Sequence, residues 1–246
     1  MAGKMQFCFK RYEKKYMLTP EQFAGMLKGM ERHMRADEFG RYTICNVYYD
    51  TDDYRLIRAS LEKPIYKEKL RVRSYGVPED RSDVFVELKK KYDSIVYKRR
   101  TVMTAAGAAS YLHEGAAPAR EDQTCREIDW FMHTYRPSPK VYIAYDRIAF
   151  AGLENPELRV TFDTNLRWRD RELDLRAGDY GEPILSSDRI LMEIKIPGTA
   201  PVWLAHLLSE LGAFHTSFSK YGAWYTQNIL SRVLPGAARK EVPACA

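Results

Sequence analysis

The sequence predicts an α+β fold, an eight-stranded antiparallel β-barrel with helices packed outside, and three observations predict it. First, the strand-like segments alternate charge and grease with period two, so each has one polar and one apolar face. Lys67, Lys69, Arg71 and Arg73 share one parity, with Leu70 and Val72 on the other. Glu87, Lys89 and Lys91 alternate with Val84, Val86 and Leu88. Arg159, Thr161, Asp163, Asn165 and Arg167 alternate with Val160, Phe162, Thr164 and Leu166, and Glu193 and Lys195 with Met192, Ile194 and Ile196. Second, the charged face recurs on nearly every strand, so none reads as apolar on both faces. Third, there are enough helices to cover the apolar faces from outside. A sheet with one face on a core and one in water gives the same alternation. The recurrence, the helices and the prominence of arginine, which suits bidentate phosphate contacts, favour a closed sheet. Eight strands leave an interior wide enough for a slender ligand. Converging polar faces would then form a pocket for a polyanion and a metal.

Residues 7–18 alternate and predict the first strand, with Arg11, Glu13 and Lys15 on one face. Thr19-Pro20-Glu21-Gln22 is a helix start: Thr at the N-cap, Pro at the first helical position, and Gln22 completing a capping box. That helix is expected to reach about Met34. Residues 42–49 predict a second strand, and 52–61 a short helix stopped at Lys63-Pro64. Residues 66–75, 84–92 and 95–103 predict a meander joined through Gly76-Val77-Pro78 and a tight Asp93-Ser94 turn. Helices follow over 104–113 and 120–135, separated by Gly115-Ala116-Ala117-Pro118. Residues 139–150 and 158–167 return to strand. The charged, turn-rich 169–185 holds at most a short strand or hairpin. Residues 190–196 predict a strand ended by Pro197-Gly198, 201–211 an amphipathic helix, and 221–233 another. One domain over residues 1–235 is expected, with a disordered tail over 236–246.

With 39 Lys+Arg against 33 Asp+Glu, the net charge is +6. Spread over 246 residues, that excess is mild, and its cations are spaced along strands rather than gathered in a tail or outer stripe. No nucleic-acid partner is therefore expected. Cys8, Cys45, Cys125 and Cys245 are scattered without a CxxC, which predicts free thiols in a reducing, cytoplasmic setting. The five histidines have no zinc-ligand spacing. No apolar run is long enough to span a membrane, and the N-terminus lacks the apolar stretch of a signal peptide. Direct membrane insertion is not expected.

Several features have plain readings. Lys90 reads as a solvated member of a charge run, and at most alternate members of Lys98-Arg99-Arg100 face inward. Met26, Met30 and Met34, spaced by four, read as a core stripe, as do Trp203 and Leu207. Ser219 has no His/Asp partnership that would make it a nucleophile. Arg167 and Arg169 are expected at the mouth of the interior or on plain surface.

Read in order, several segments carry a resemblance. They are 9–16 (Phe9-Lys10-Arg11-Tyr12-Glu13-Lys14-Lys15-Tyr16), Leu70-Arg71-Val72-Arg73-Ser74-Tyr75-Gly76, Val86-Glu87-Leu88-Lys89 and Lys98. Tyr145-Asp146-Arg147-Ile148-Ala149-Phe150, Arg159-Val160-Thr161-Phe162-Asp163-Thr164, Met192-Glu193-Ile194-Lys195 and Phe218-Ser219-Lys220-Tyr221 complete the series. Each motif is weak alone. The ordered series, from about Phe7 to Trp224, resembles the polyphosphate-polymerase (VTC) catalytic domain of the CYTH-like triphosphate-tunnel family.

That resemblance implies an eight-stranded tunnel holding phosphate chains and a divalent metal, Mn²⁺ or Mg²⁺. It implies that Lys15, Arg71, Arg73, Lys89, Lys98, Arg147 and Lys220 grip phosphates and act, with Glu193, in catalysis. Arg159 and Lys195 would be further lumen cations. Glu193 would hold the metal, with Glu87 and Glu13 as metal or positioning groups. The implied partners are ATP and polyphosphate, with a membrane protein as a further one. The implied reaction transfers the ATP γ-phosphate to a growing chain. A triphosphatase on the same scaffold and a non-catalytic polyphosphate binder stay open beside it. Two positions depart from the family pattern. Arg11 stands where many triphosphatases carry the first glutamate of Glu-x-Glu-x-Lys, which favours holding a long anion over activating water. Ser217 stands where synthesising members tend to carry a lysine. Oligomeric state is not legible.

Overall fold

The computed structural model describes residues 11–93, 95–118 and 121–233. Strand β1 (Arg11–Leu18) is followed by helix α1 (Pro20–Met30), whose capping box forms as the sequence predicts: Gln22 N–H donates to the Thr19 hydroxyl and Thr19 N–H to the Gln22 side chain. The helix ends four residues early, because Met34 already begins strand β2 (Met34–Asp50), far longer than the expected 42–49. Met26, Met30 and Met34 are nevertheless all buried together, the last from a strand.

Helix α2 (Arg55–Leu61) leads to the meander β3 (Tyr66–Tyr75), β4 (Asp83–Tyr92) and β5 (Ile95–Thr104). Asp93 takes the left-handed conformation at the turn, with φ 41°; Ser94 lies outside the described residues. Helix α3 (Ala105–Ala109) is capped by Thr104 and widens into a π-helical turn over 110–114, so the expected 104–113 helix is two pieces. Helix α4 (Gln123–Tyr135) starts at the Asp122 cap rather than at residue 120.

Strands β6 (Ser138–Gly152) and β7 (Arg159–Arg169) follow, then a 3₁₀ turn, the two-residue β8 (Glu182–Pro183) and β9 (Ile190–Pro197). The chain ends through α5 (Val202–Glu210), β10 (His215–Thr216), α6 (Lys220–Tyr225), a second π-helical turn and α7 (Ser231–Val233). The expected 221–233 helix is thus broken into three. Cys45 and Cys125 are both buried. Residues 7–10, Cys8, Cys245 and the 236–246 tail lie outside the described residues. Among those described, no helix is long and apolar enough to cross a membrane.

All the strands belong to one antiparallel sheet in the order β10-β1-β9-β7-β6-β2-β3-β4-β5, with β8 beside β7. The barrel expectation is corrected here. The sheet has ten strands, two very short, and among the described residues no pairing joins β5 to β1 or β10. It curls all the same. Lys89 on β4 acts electrostatically on Lys15 on β1, far apart in the strand order, so the face that carries both is concave.

Three apolar clusters follow from this curl. On the convex face, Leu70, Val72, Val84, Val86 and Leu88 meet Ile128 and Phe131 of α4. Also on the convex face, Phe162, Met192 and Ile194 meet Met26 of α1 and Leu204 of α5. The third is concave, where Ile44, Val141, Ile143, Leu166 and Leu191 meet Tyr221, Trp224 and Tyr225 of α6. Helices therefore do not all pack outside: α6 fills part of the interior.

Asp50 ties that interior helix down. Its carboxylate is fully buried and accepts from the N–H groups of Thr51, Leu56 and Ile57 and from the Tyr221 hydroxyl, all at 2.8–2.9 Å. Removing a charged acceptor leaves buried donors unpaired, so Asp50→Ala is expected to cost about 3 kcal/mol of unfolding free energy. Urea denaturation checks this, with Asp50→Asn falling between.

Candidate functional site

Strand parity puts the alternating charges on the concave face, and strand register decides which of them meet. Arg71 on β3 stands directly opposite Glu87 on β4, which stands opposite Arg100 on β5. Arg71 donates from Nε to the Glu87 carboxylate at 2.8 Å, and its Nη1 donates to the Tyr48 hydroxyl at 3.2 Å. Lys98 reaches the other Glu87 oxygen at 2.5 Å. Arg73 is held by Asn46 Oδ1 at 2.9 Å and lies 3.9 Å from Glu87. Burial pushes the Glu87 carboxyl up, but Arg71, Arg73 and Lys98 outweigh it and hold the group at about 2. Glu87 is therefore an anchor for three cations, with both oxygens engaged.

A second node forms around Asp163 on β7. Its buried carboxylate accepts two bonds from Arg147, at 2.6 and 2.8 Å, and one from Lys220 Nζ at 2.6 Å. Burial raises this acid as well, and Lys220 and Arg147 bring it down to about 2. Tyr145 joins the two nodes. Arg73 Nη2 donates to its hydroxyl at 3.3 Å, and Lys220 Nζ lies 4.2 Å above its ring. Burial opposes ionisation of that phenol, but Arg73, Arg147 and Lys220 lower it to about 8.

Glu193 completes the arrangement. It stands opposite Lys15 on β1 and Thr161 on β7. Burial opposes its charge, yet Lys195, Lys15, Lys220 and Arg147 keep it below the usual carboxylate range. Its contact to Lys195 is long, 3.5 Å. The next rung toward the β1 N-terminus holds Glu13 opposite Lys195, which stands opposite Arg159. Lys89 lies between Lys69 and Lys98.

The gap that hydrogen bonding leaves in the sheet is crossed by the segment 218–221. Lys15 Nζ donates to the Phe218 carbonyl at 2.8 Å, Lys69 Nζ to Ser219 Oγ at 3.5 Å, Lys220 to Asp163, and Tyr221 to Asp50. Ser219 is accordingly a helix cap held from β3; Ser217 is exposed. Four walls are pinned to one short strut.

Four concave-face residues escaped the sequence reading of the site. Asp163 was legible as a member of an alternation and of the 159–164 segment but was given no role, because its value lies in a register that places it beside Arg147. Tyr145 and Tyr48, read by composition, look like ordinary strand tyrosines. Lys69 was legible by parity, since it shares the face of Arg71, but no motif singled it out. Arg167 and Arg169 need the opposite correction, since both are buried and neither lines the interior. A bulge between Ala144 and Asp146, with Asn165 at φ 49°, reverses the facing of β7. Arg167 then pairs with Asp146 and Asp179 on the convex side, and Arg169 donates to four carbonyls of the 172–180 segment while lying on the Tyr142 ring. Lys90 is likewise convex, paired to Glu127 at 3.0 Å.

Among the described residues no group of three His, Cys, Asp or Glu side chains is placed to enclose a metal. The donor set suits a different kind of site. Hard divalent cations such as Mg²⁺ are held by one or two carboxylates with substrate phosphates and water. Glu193 is ionised, lines the interior and has only a long cation contact; Glu13 is exposed one rung away. Asp163 and Glu87 are saturated by cations.

Known proteins resemble this chain in sequence and in fold. The family model for the VTC domain matches residues 10–227. Vacuolar transporter chaperone complex subunit 4 of Schizosaccharomyces pombe is 25% identical over 272 aligned positions, which take in 89% of this chain. The chain spans 37% of that relative's length. Among solved structures, a candidate adenylate cyclase from Bacillus halodurans superposes with a TM-score of 0.52 at 14% identity, over 90% of this chain and 96% of the other. A candidate adenylyl cyclase from Hippeastrum, reported to have a dominant triphosphatase activity, gives 0.51 at 13% identity, over 87% and 94%. At such identities the likeness is one of fold.

Proposed function

The chain belongs to the VTC domain family, and from that premise we propose that it is a metal-dependent polyphosphate polymerase that extends a phosphate chain with the γ-phosphate of ATP. The observation that carries the proposal is the convergence of Arg71, Arg73, Lys98, Arg147, Lys220, Lys15 and Lys195 on one concave face beside the fewer acids Glu87, Asp163, Glu193 and Glu13. Such an excess of preorganised cations is made for a polyanion. In this reading the curled sheet and the 218–221 strut enclose a tunnel, residues 1–235 act as one unit, and α6 blocks part of one end.

Glu193, with Glu13, would hold a Mn²⁺ or Mg²⁺ ion, which when bound neutralises charge on the transferring phosphates. The protein's own groups do the rest. Arg71 and Arg73 are aimed by Glu87, Asn46 and Tyr145, and Arg147 and Lys220 by Asp163, so they meet phosphate oxygens without reorganising. They position the terminal oxygen of a chain in line with the γ-phosphorus. A new P–O bond forms as the β–γ bridge breaks, ADP leaves, and the chain is longer by one phosphate. No covalent nucleophile is required. A hydrolase is the second reading, favoured by the triphosphatase activity of the Hippeastrum protein.

Incubation with ATP and Mn²⁺, following ADP, free phosphate and chain length on a gel, tests these readings. Lengthening chains with little free phosphate support the polymerase. ADP with equal free phosphate replaces it with the hydrolase, and polyphosphate binding without turnover leaves a binder.

Lys69 adds a pH signature. Burial, then Lys67, Lys89, Lys15 and Arg71, lowers its ammonium to about 7. A bound polyanion raises that value, so binding takes up a proton near neutral pH, and affinity falls as pH rises through 7. Calorimetry in buffers of different ionisation heat measures the uptake, which should shrink in Lys69→Met. Stability of the free protein runs the other way. Between about 7 and the ordinary lysine value the unfolded chain holds a proton that the folded one has released, so this group's destabilising effect is relieved as pH rises.

A further inference from the structure

The concave face is not uniform along β3 and β4. Around Arg71 and Arg73 the cations gather on one acid, Glu87, which Arg71, Arg73 and Lys98 share. Further along the same two strands no acid of either strand shares that face, Glu68 lying on the other one. Lys69 stands directly opposite Lys89, and Lys67 directly opposite Lys91, all four on the parity of Arg71 and Glu87. Like charges directly opposite on one face destabilise a sheet, and here two such pairs are consecutive. Their polar contacts are to neutral groups: Lys67 Nζ donates to the Ser60 carbonyl at the end of α2 and Lys69 Nζ to Ser219 Oγ. Burial, then Lys91, Lys89 and Lys63, lowers the Lys67 ammonium, and the charges that act most on Lys69 are the cations Lys67, Lys89, Lys15 and Arg71. Six residues of strand separate Lys67 from Arg73, about 20 Å of wall. A triphosphate engaged at the arginine end leaves the lysine end unmatched.

We propose that the lysine ladder formed by Lys67, Lys69, Lys89 and Lys91 is a separate subsite for the body of an inorganic polyphosphate chain. The chain leaves the interior past the end of α2, while the acid-bearing end holds the metal and the reacting phosphates. The inference rests on the phosphate reading above. A ladder without carboxylates on its own face suits a linear anion that needs no metal ion, because among the described residues of β3 and β4 no acid there competes with the lysines for charge. It also gives the molecule a direction: a chain held at Lys67 and Lys91 presents its free end to Arg71, Arg73 and Glu193 after each addition.

The test is the double variant Lys67→Gln/Lys91→Gln in the full chain, titrated without metal against tripolyphosphate and against long-chain sodium polyphosphate. Long-chain affinity should fall about tenfold, and the slope of log affinity against log salt should flatten, by about 0.7 per lysine on the scale of single-stranded polyanions. Tripolyphosphate affinity should stay within twofold, and the melting temperature should not fall, since a like-charge pair has been removed. Equal weakening for both anions, or no change for either, overturns the subsite while leaving the phosphate reading standing. A wild-type protein that binds neither anion overturns both.

Discussion

Glu193→Gln is expected to lower turnover by about a thousandfold, roughly 4 kcal/mol of transition-state stabilisation, the scale lost when a preorganised electrostatic group is removed from a reacting centre. Among the acids that line the interior beside the arginines, Glu193 combines a charge held ionised by surrounding cations with no short ion pair consuming it. Glutamine keeps the shape and removes the charge a divalent ion needs. Metal-free polyphosphate binding should survive or tighten, because one negative charge has left a cationic surface. Steady-state turnover at saturating Mn²⁺, alongside calorimetric binding in a chelator, separates the two effects. Loss of both together would assign Glu193 to the scaffold instead.

Asp163→Asn should be the most damaging change to the fold among the interior residues. Removing one partner of a buried, bonded ion cluster costs about 3–5 kcal/mol, because the charges left behind have no counterion. Here Arg147 and Lys220 would both be stranded, and Lys220 belongs to the strut that crosses the open side of the sheet. Urea denaturation reads the loss, and added tripolyphosphate should restore part of it by supplying the missing negative charge. The acid limb of the wild-type stability curve carries the same information. The folded carboxyl lies at about 2 against an ordinary 3.8, so its stabilisation is complete above the ordinary value and is lost as pH falls toward 2. That difference corresponds to about 2–3 kcal/mol. The variant should lack this contribution to the acid limb.

These two residues also mark how much of the site could be read before folding. Glu193 sits inside a motif, Met192-Glu193-Ile194-Lys195, whose alternation alone shows that the charges share one face and the apolar residues the other. Arg71, Arg73 and Lys89 are legible for the same reason, since period two is a property of the backbone and survives in any sheet. Asp163 shows the same alternation, yet nothing local distinguishes it from Asn165 two residues on. One becomes the counterion of Arg147; the other sits at a bulge and turns the strand over. Arg167 and Arg169 fail for that reason: parity counting carries through a bulge that it has no means of seeing.

What the sequence by itself determined was the polarity of each strand, the antiparallel α+β class, the capped start of α1 and the excess of cations on one face. These follow from side-chain alternation and from local hydrogen-bonding groups, both set within a few residues. Only the tertiary structure decided which charges meet. Pairing Arg71 with Glu87, and Arg147 and Lys220 with Asp163, depends on register and on the curl of the sheet. Replacing the expected closed barrel by an open sheet braced through Phe218–Tyr221 depends on contacts between residues far apart in the chain, Lys15 to Phe218 (203 positions) the farthest of the strut contacts named above. Such contacts are chosen by the packing of three apolar clusters at once, a sum that no single segment contains.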